Sequence, residues 1–322
     1  GDILKSSNIG GQAVMEGVMM RNQDRYAVAV RKPNKEIEVE VTNCSTSEIM
    51  KKIKKIPFIR GIFNFIDSLV VGMKCLSYSA EFFEDEEDSE NSAGNKSWIE
   101  KVFKDKAENV VMGFTIVVAV ILALVLFCGL PFLIAELIRS FWTTNYFIIA
   151  TIEGIVRILI FIGYVALISF MEDIKRVFMY HGAEHKCINC IEHGLDLNVE
   201  NVRKSSKQHK RCGTSFLLIV MVISIIFLMF INVEDRVLRL VLRLVVIPII
   251  AGVSYEFIKL AGNSDNKFVD ILSKPGLWLQ NLTTREPDDD MIEVAIASVE
   301  AVFDWKEYQA ENFPDKKKEN TD

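Results

Sequence analysis

The sequence predicts a mainly α polytopic membrane protein. It should hold four transmembrane helices in two hairpins, an interfacial amphipathic helix, a small N-terminal β element and a C-terminal cytoplasmic helix. Three observations carry this expectation. Half of the 322 residues are apolar although 25% are charged, and the two kinds are segregated along the chain. Four apolar runs reach the roughly 20 residues that a helix needs to cross about 30 Å of hydrocarbon. The N-terminal stretch instead alternates apolar and polar side chains, which is the period of a strand.

The β element occupies residues 1–56. "YAVAVRK" and "EIEVEV" alternate around a "PNKE" turn and read as a strand pair, while "GGQAVMEGVMMR" reads as a glycine-rich bend leading into it. Residues 57–80 change to a helical period, with Arg60, Asn64, Asp67, Ser68 and Lys74 near one face, and suit the membrane interface better than a span. Residues 81–106, "EFFEDEEDSENSAGNKS" onward, are an acidic linker too polar to order itself.

The spans are Val110–Ala135 and Tyr146–Met171, forming the hairpin of residues 107–171, then Ser215–Val233 and Val237–Leu260, forming that of 215–260. Between the hairpins, residues 172–214 carry eight lysines and arginines, so this connection and both termini are expected in the cytoplasm by the positive-inside rule. Arg236, Arg239 and Arg243 run against that rule and should snorkel or pair with Glu234 and Asp235. Inside the spans, Glu153 and Arg157 lie four apart and should neutralise each other, and Glu136 could join them or the arginines of the fourth span; a transport path is the rival reading of such charges. Residues 261–322 follow as a cytoplasmic segment, with a helix starting near Asp288 to Asp290 and a frayed "DKKKENTD" tail.

"GDILKSSNIG" lacks the apolar core of a signal peptide, so the six cysteines are expected in a reducing compartment, as ligands or packing rather than disulfides. The partners expected are the lipid bilayer, together with another membrane protein or a second copy of the chain. The net charge of −6 and the lack of a basic, aromatic stripe point away from nucleic acid.

All four histidines fall in the 172–214 connection. His181, Gly182, Ala183, Glu184 and His185 make an H-x-x-E-H arrangement, in which two histidines four apart share a helix face and the glutamate can serve as a base. "HKRCGT" adds His209 and Cys212, with Gly213 free to fold round the sulfur and Thr214 placed to cap the third span. The expected ligand set for zinc or another divalent metal is His181, His185, His209 and Cys212, with Glu184 as candidate catalytic base. Four protein ligands would close a structural site. If Cys212 is packing, or Glu192 or Glu200 is the third ligand, a position stays open for water. Cys187 and Cys190 form a C-x-x-C that could join the set or act in redox chemistry, and Glu256 could orient a ligand histidine. The bland alternatives are interface histidines bonded to carbonyls and cysteines as core filler.

"GGQAVMEGVMMR", "AVAVR", "HGAEHK", "RCGTSF", "SYE" and "LQNLTTREPDDDMIEVA" together resemble the YqhQ family of bacterial membrane proteins. That family has no established function and is labelled in places as predicted metal-dependent enzymes. The resemblance favours the histidine and Cys212 set over the Cys187 and Cys190 pair, and Lys210 stands where the family usually has proline. Two function classes follow: a metal-dependent hydrolase at the membrane surface, or an accessory or assembly factor whose metal is structural. A small-solute transporter is third.

Overall fold

In a computed structural model, residues 5–44, 52–53, 55–88, 113–231, 233–262 and 267–314 are described. Most of the expected acidic linker and the expected frayed tail lie outside them. Two compact units result: Gly1–Phe83, Val165–Val220 and Val245–Asp322 form one, Glu84–Tyr164 and Met221–Leu244 the other.

The first unit opens with a four-stranded antiparallel meander, β1 (Gly10–Val14), β2 (Gly17–Asn22), β3 (Arg25–Arg31) and β4 (Ile37–Asn43), in the order β1-β2-β3-β4. "YAVAVR" and "EIEVEV" form the β3–β4 pair read from their alternation. The glycine-rich stretch is no bend but a second hairpin, with Gly11 opposite Met20 and Ala13 opposite Val18. Its turn places Glu16 at φ 47°, a conformation that few residues other than glycine adopt readily. Alternation sends Val18, Met20, Ala27 and Ala29 to one face, and Val14, Met19, Val28 and Val30 to the other.

The second of these faces packs on Val71 and Cys75 of α1 (Ile59–Asp88). It covers most of the amphipathic helix expected over 57–80, and its helical period continues into the first acidic residues of the linker. Ile66, Leu69, Val70, Met73 and Leu76 remain exposed on it. The first face packs on α4 (Glu172–Glu192) and α9 (Asp289–Val302), whose N-cap Asp288 accepts from the Met291 amide at 3.0 Å where the carboxylate run predicted a start.

Among the described residues, four helices are long and apolar enough to cross a membrane: α2 (Gly113–Phe141), α3 (Tyr146–Ile168), α6 (Gly213–Phe230) and α7 (Arg236–Gly262). The connection between α3 and α6 is largely helical, since α4 begins three residues after α3 ends and is followed by α5 (Val199–Lys204). After α7 come α8 (Lys267–Thr283), α9 and α10 (Trp305–Asn312).

Within the second unit, α2 contains a π turn at Val125–Gly129, just before Pro131. A proline ring excludes the carbonyl four residues back from the helical ladder, here that of Phe127. Arg157 Nε donates to that carbonyl at 2.9 Å, while its Nη2 lies 3.1 Å from Glu153. Arg243 also faces Glu153, at 2.5 Å, and packs over the Phe132 ring. Arg236 and Arg239 pair with Glu136, and Arg239 donates to the backbone carbonyls of Val233 and Glu234. The three arginines therefore pair with carboxylates of α2 and α3, Glu136 as one of the expected alternatives, rather than with the side chains of Glu234 and Asp235; Arg239 and Arg243 are buried with their anions, while Arg236 stays exposed.

Candidate metal centre

Helix α4 becomes fully buried from Tyr180 onward except at His181, which is partly exposed. His181 and His185, one turn apart, bring their ring centroids to 4.4 Å. Cys212, immediately before α6, brings its Sγ 3.3 Å from His181 Nε2. One ligand atom from each of His181, His185 and Cys212 lies within 4.8 Å of the others. Three of the four residues expected as ligands are thus assembled.

Backbone carbonyls aim both rings. His181 Nδ1 donates to Thr283 O at 2.8 Å and His185 Nδ1 to Lys207 O at 2.7 Å. A carbonyl only accepts, so each Nδ1 carries the hydrogen and each Nε2 is left for Cys212 or an ion; ligand histidines are commonly oriented this way. Two features of α4 deliver those carbonyls. At Gly182 a Cβ would lie 2.0 Å from the Arg285 carbonyl, so glycine is required for residues 283–285 to run along the helix. Buried Lys186 and Asn189 hold the 203–208 segment: Lys186 Nζ reaches the carbonyls of Arg203 and Ser205 at 2.9 and 2.8 Å, and Asn189 Nδ2 those of Ser206 and Gln208 at 2.6 and 2.9 Å.

Burial alone would push the Cys212 thiol up, but the His181 charge and hydrogen bonds from both imidazoles hold it well below the ordinary thiol range. Burial opposes charge on His181, yet the Cys212 sulfur raises it to about 9. Each shift favours the charged form of its group in the presence of the other. Cys212 also stands where the cap of α6 is required: its sulfur accepts from the Thr214 amide at 3.4 Å. The expected cap, Thr214, is already inside the helix, and nothing crowds a Cβ at Gly213, so the knuckle-like role expected of that glycine is not required.

Glu184 points to the same place. It is 4% exposed, its carboxyl lies against the Gly11 backbone of β1, where a Cβ would come 3.0 Å from Cδ, and its Oε2 has no hydrogen-bond partner. Burial raises its pKa, against the pull of His181 and His185. A cleft of about 630 Å³ opens beside His181, Glu184 and Cys212 and is walled mainly by apolar side chains.

Other expected participants are engaged elsewhere. His209 turns its Nε2 toward Glu192 at 3.4 Å, its ring centroid lies 5.8 Å from that of His185, and Gln280 brackets its backbone at 2.8 and 2.7 Å. Glu192 accepts from Arg211 and from the Ser7 amide and hydroxyl at 2.7 and 2.8 Å. Burial would raise Glu192, but the His209 bond and Arg211 bring it down to about 2. Glu200 pairs with Lys204 on the surface. Glu256 accepts from Arg60 and from the Phe58 amide, not from a ligand histidine. Cys187 and Cys190 are packed in the core, where burial pushes Cys187 well up and Cys190 to about 11, so both stay protonated at neutral pH. No sequence signal singled out Thr283, Lys207 or Gly11, because their contribution is backbone.

The fold and site define a polytopic helical membrane protein carrying a buried cluster of two histidines and one cysteine. A family model described as "Protein of unknown function (DUF1385)" matches residues 56–305, and the chain belongs to that family. It is 36% identical over 298 residues, 90% of each chain, to the "Uncharacterized protein YqhQ" of Bacillus subtilis (strain 168). No solved structure matches.

Proposed function

We propose that the protein is a metal-dependent hydrolase working where its membrane helices meet the cytoplasm, with zinc or a similar divalent ion held by His181, His185 and Cys212. The observation that carries this reading is a converging set of three donors beside a buried carboxylate atom, Glu184 Oε2, that has nothing to bond. Two imidazoles and a thiolate suit zinc, and three protein ligands are the number found where chemistry occurs, four where the ion is structural. Such an ion supplies Lewis acidity, lowering the pKa of a coordinated water and polarising an electrophile. Glu184 is the residue placed to take a proton from water and return it to the leaving group. Thr283 and Lys207 hold the imidazoles in the ligating tautomer, and the α6 amide helps to keep Cys212 as thiolate.

Metal content of the purified protein, with the coordination sphere read by X-ray absorption, tests this. One ion per chain bound by nitrogen, sulfur and water, lost in His181→Ala and kept in Glu184→Gln, is the expected result. A sphere closed by four protein ligands would instead support an assembly factor with a structural metal. The favouring observation for that second reading is that the site ties α4, the start of α6 and the Lys207 and Thr283 carbonyls into one knot.

A further inference from the structure

We propose that the substrate is an apolar polypeptide segment, bound in extended form as an added strand on β1. This rests on the hydrolase reading above and names its substrate class. Among the described residues β1 is an edge strand, paired on one side only, with β2. The Gly11 backbone lies against the Glu184 carboxyl, and the Met15 amide reaches away from β2 to Ser79 at 3.2 Å. In an antiparallel ladder alternate residues point their N–H and C=O to the same side, so Ala13, between them, presents both its groups outward, and Gly11 its carbonyl. Gly11 and Ala13 line the cleft that also holds His181, Glu184 and Cys212.

An unpaired strand edge is a template for another strand, whose backbone supplies affinity while alternate side chains enter pockets. The pockets here are apolar, formed by Phe65 and Leu69 of α1, Phe178 of α4, and Phe216 and Leu217 of α6. Because α6 is a membrane span and α1 leaves an apolar stripe exposed, the cleft opens where hydrophobic polypeptide is at hand. The Gly11 backbone lies against the Glu184 carboxyl, so a strand added at about 4.8 Å from β1 runs past it. An acyl chain would fill the apolar walls yet leave the backbone groups of the edge unused. In the reaction a water oxygen bonds to the peptide carbonyl carbon, the C–N bond breaks, and the proton taken up by Glu184 passes to the departing nitrogen.

The test uses the full chain in detergent, carrying Glu184→Gln to prevent turnover. The probe is a nine-residue apolar peptide with a central photo-crosslinking phenylalanine, compared with the same peptide N-methylated at alternate residues. The proposal expects crosslinks at residues 11–13 and 65–69, at least tenfold weaker binding after N-methylation, and a similar loss in Ala13→Pro with metal content unchanged. Proline removes only an amide that β2 does not use, so the meander should survive, and circular dichroism checks that it does. Equal binding of both peptides overturns the proposal. So does Glu184-dependent release of fatty acid from phosphatidylglycerol vesicles by the wild-type protein without peptide binding, which would leave the hydrolase reading standing. Edge-dependent peptide binding by a chain that takes up no metal would do the reverse, sinking the hydrolase reading and leaving the strand site.

Discussion

Two groups of buried charge invite comparison: the carboxylates and arginines of the spans, and the cluster around His181 and Cys212. In the spans, Glu153 meets Arg157 and Arg243, and Glu136 meets Arg236 and Arg239. Each anion there has more than one cation, and Arg157 and Arg239 also donate to the carbonyls of Phe127, Val233 and Glu234, which is how charge persists in a low dielectric. Glu153 Oε2 makes no hydrogen bond of good geometry, but Arg243 lies 2.5 Å from it; in the other cluster the donors converge on a shared space while Glu184 Oε2 has neither a hydrogen bond nor an ion pair among the described residues. Groups that serve stability are neutralised by their neighbours. Groups left unsatisfied in an otherwise well-bonded core mark where a ligand or reaction supplies the missing contact.

The comparison breaks first at Glu153. Glu153→Ala should strip Arg157 and Arg243 of their common anion and lower stability by about 3–5 kcal/mol, read as a fall in thermal midpoint in detergent. A change below about 1 kcal/mol would mean that the span charges are not the stabilising set.

Next is acid. Glu192 is held at about 2 against a usual value near 4.3, so its contribution is fully present above about pH 4.5 and is lost as pH falls through 2. Up to about 3 kcal/mol should disappear across that window, and Glu192→Gln should flatten the profile. A variant with an unchanged acid limb would show that other carboxylates govern acid unfolding.

Gly182→Ala should cost about 1–3 kcal/mol, because its Cβ must displace the Arg285 carbonyl. It should also weaken metal binding, since the same segment carries the Thr283 carbonyl that aims His181. Metal titration by calorimetry would separate the two effects; unchanged affinity would detach Thr283 from the site.

The smallest effect sharpens the contrast most. Glu184→Gln should leave the thermal midpoint within about 1 kcal/mol of the parent or raise it, because it removes a buried charge whose satisfaction is incomplete. A loss like that at Glu153 would make Glu184 a structural residue.

The architecture was legible where composition alone decides it. A run of some twenty apolar residues has one outcome in a bilayer, so four spans follow from the sequence, as does the β3–β4 hairpin from its alternation. The β1–β2 hairpin was not legible, because glycine and methionine carry weak strand preference and the pairing is fixed by packing on α1 and α4. The H-x-x-E-H spacing placed His181, Glu184 and His185 together, since four residues on a helix make one turn. Cys212 joined them through contacts across 31 positions, and His209 left the set for Glu192 through others.

What the sequence by itself determined, then, is everything that depends on period and on hydropathy: the spans, the helix bearing the two histidines, and the residue types able to ligate. Tertiary structure alone decided which side chains share a space. It left His209, Cys187 and Cys190 outside the group of converging side chains, and it brought the backbone of Gly11, Lys207 and Thr283 up to that group. The physical reason is that backbone amides and carbonyls are the same at every residue. Their use is set by where the chain passes, and no side-chain pattern records it.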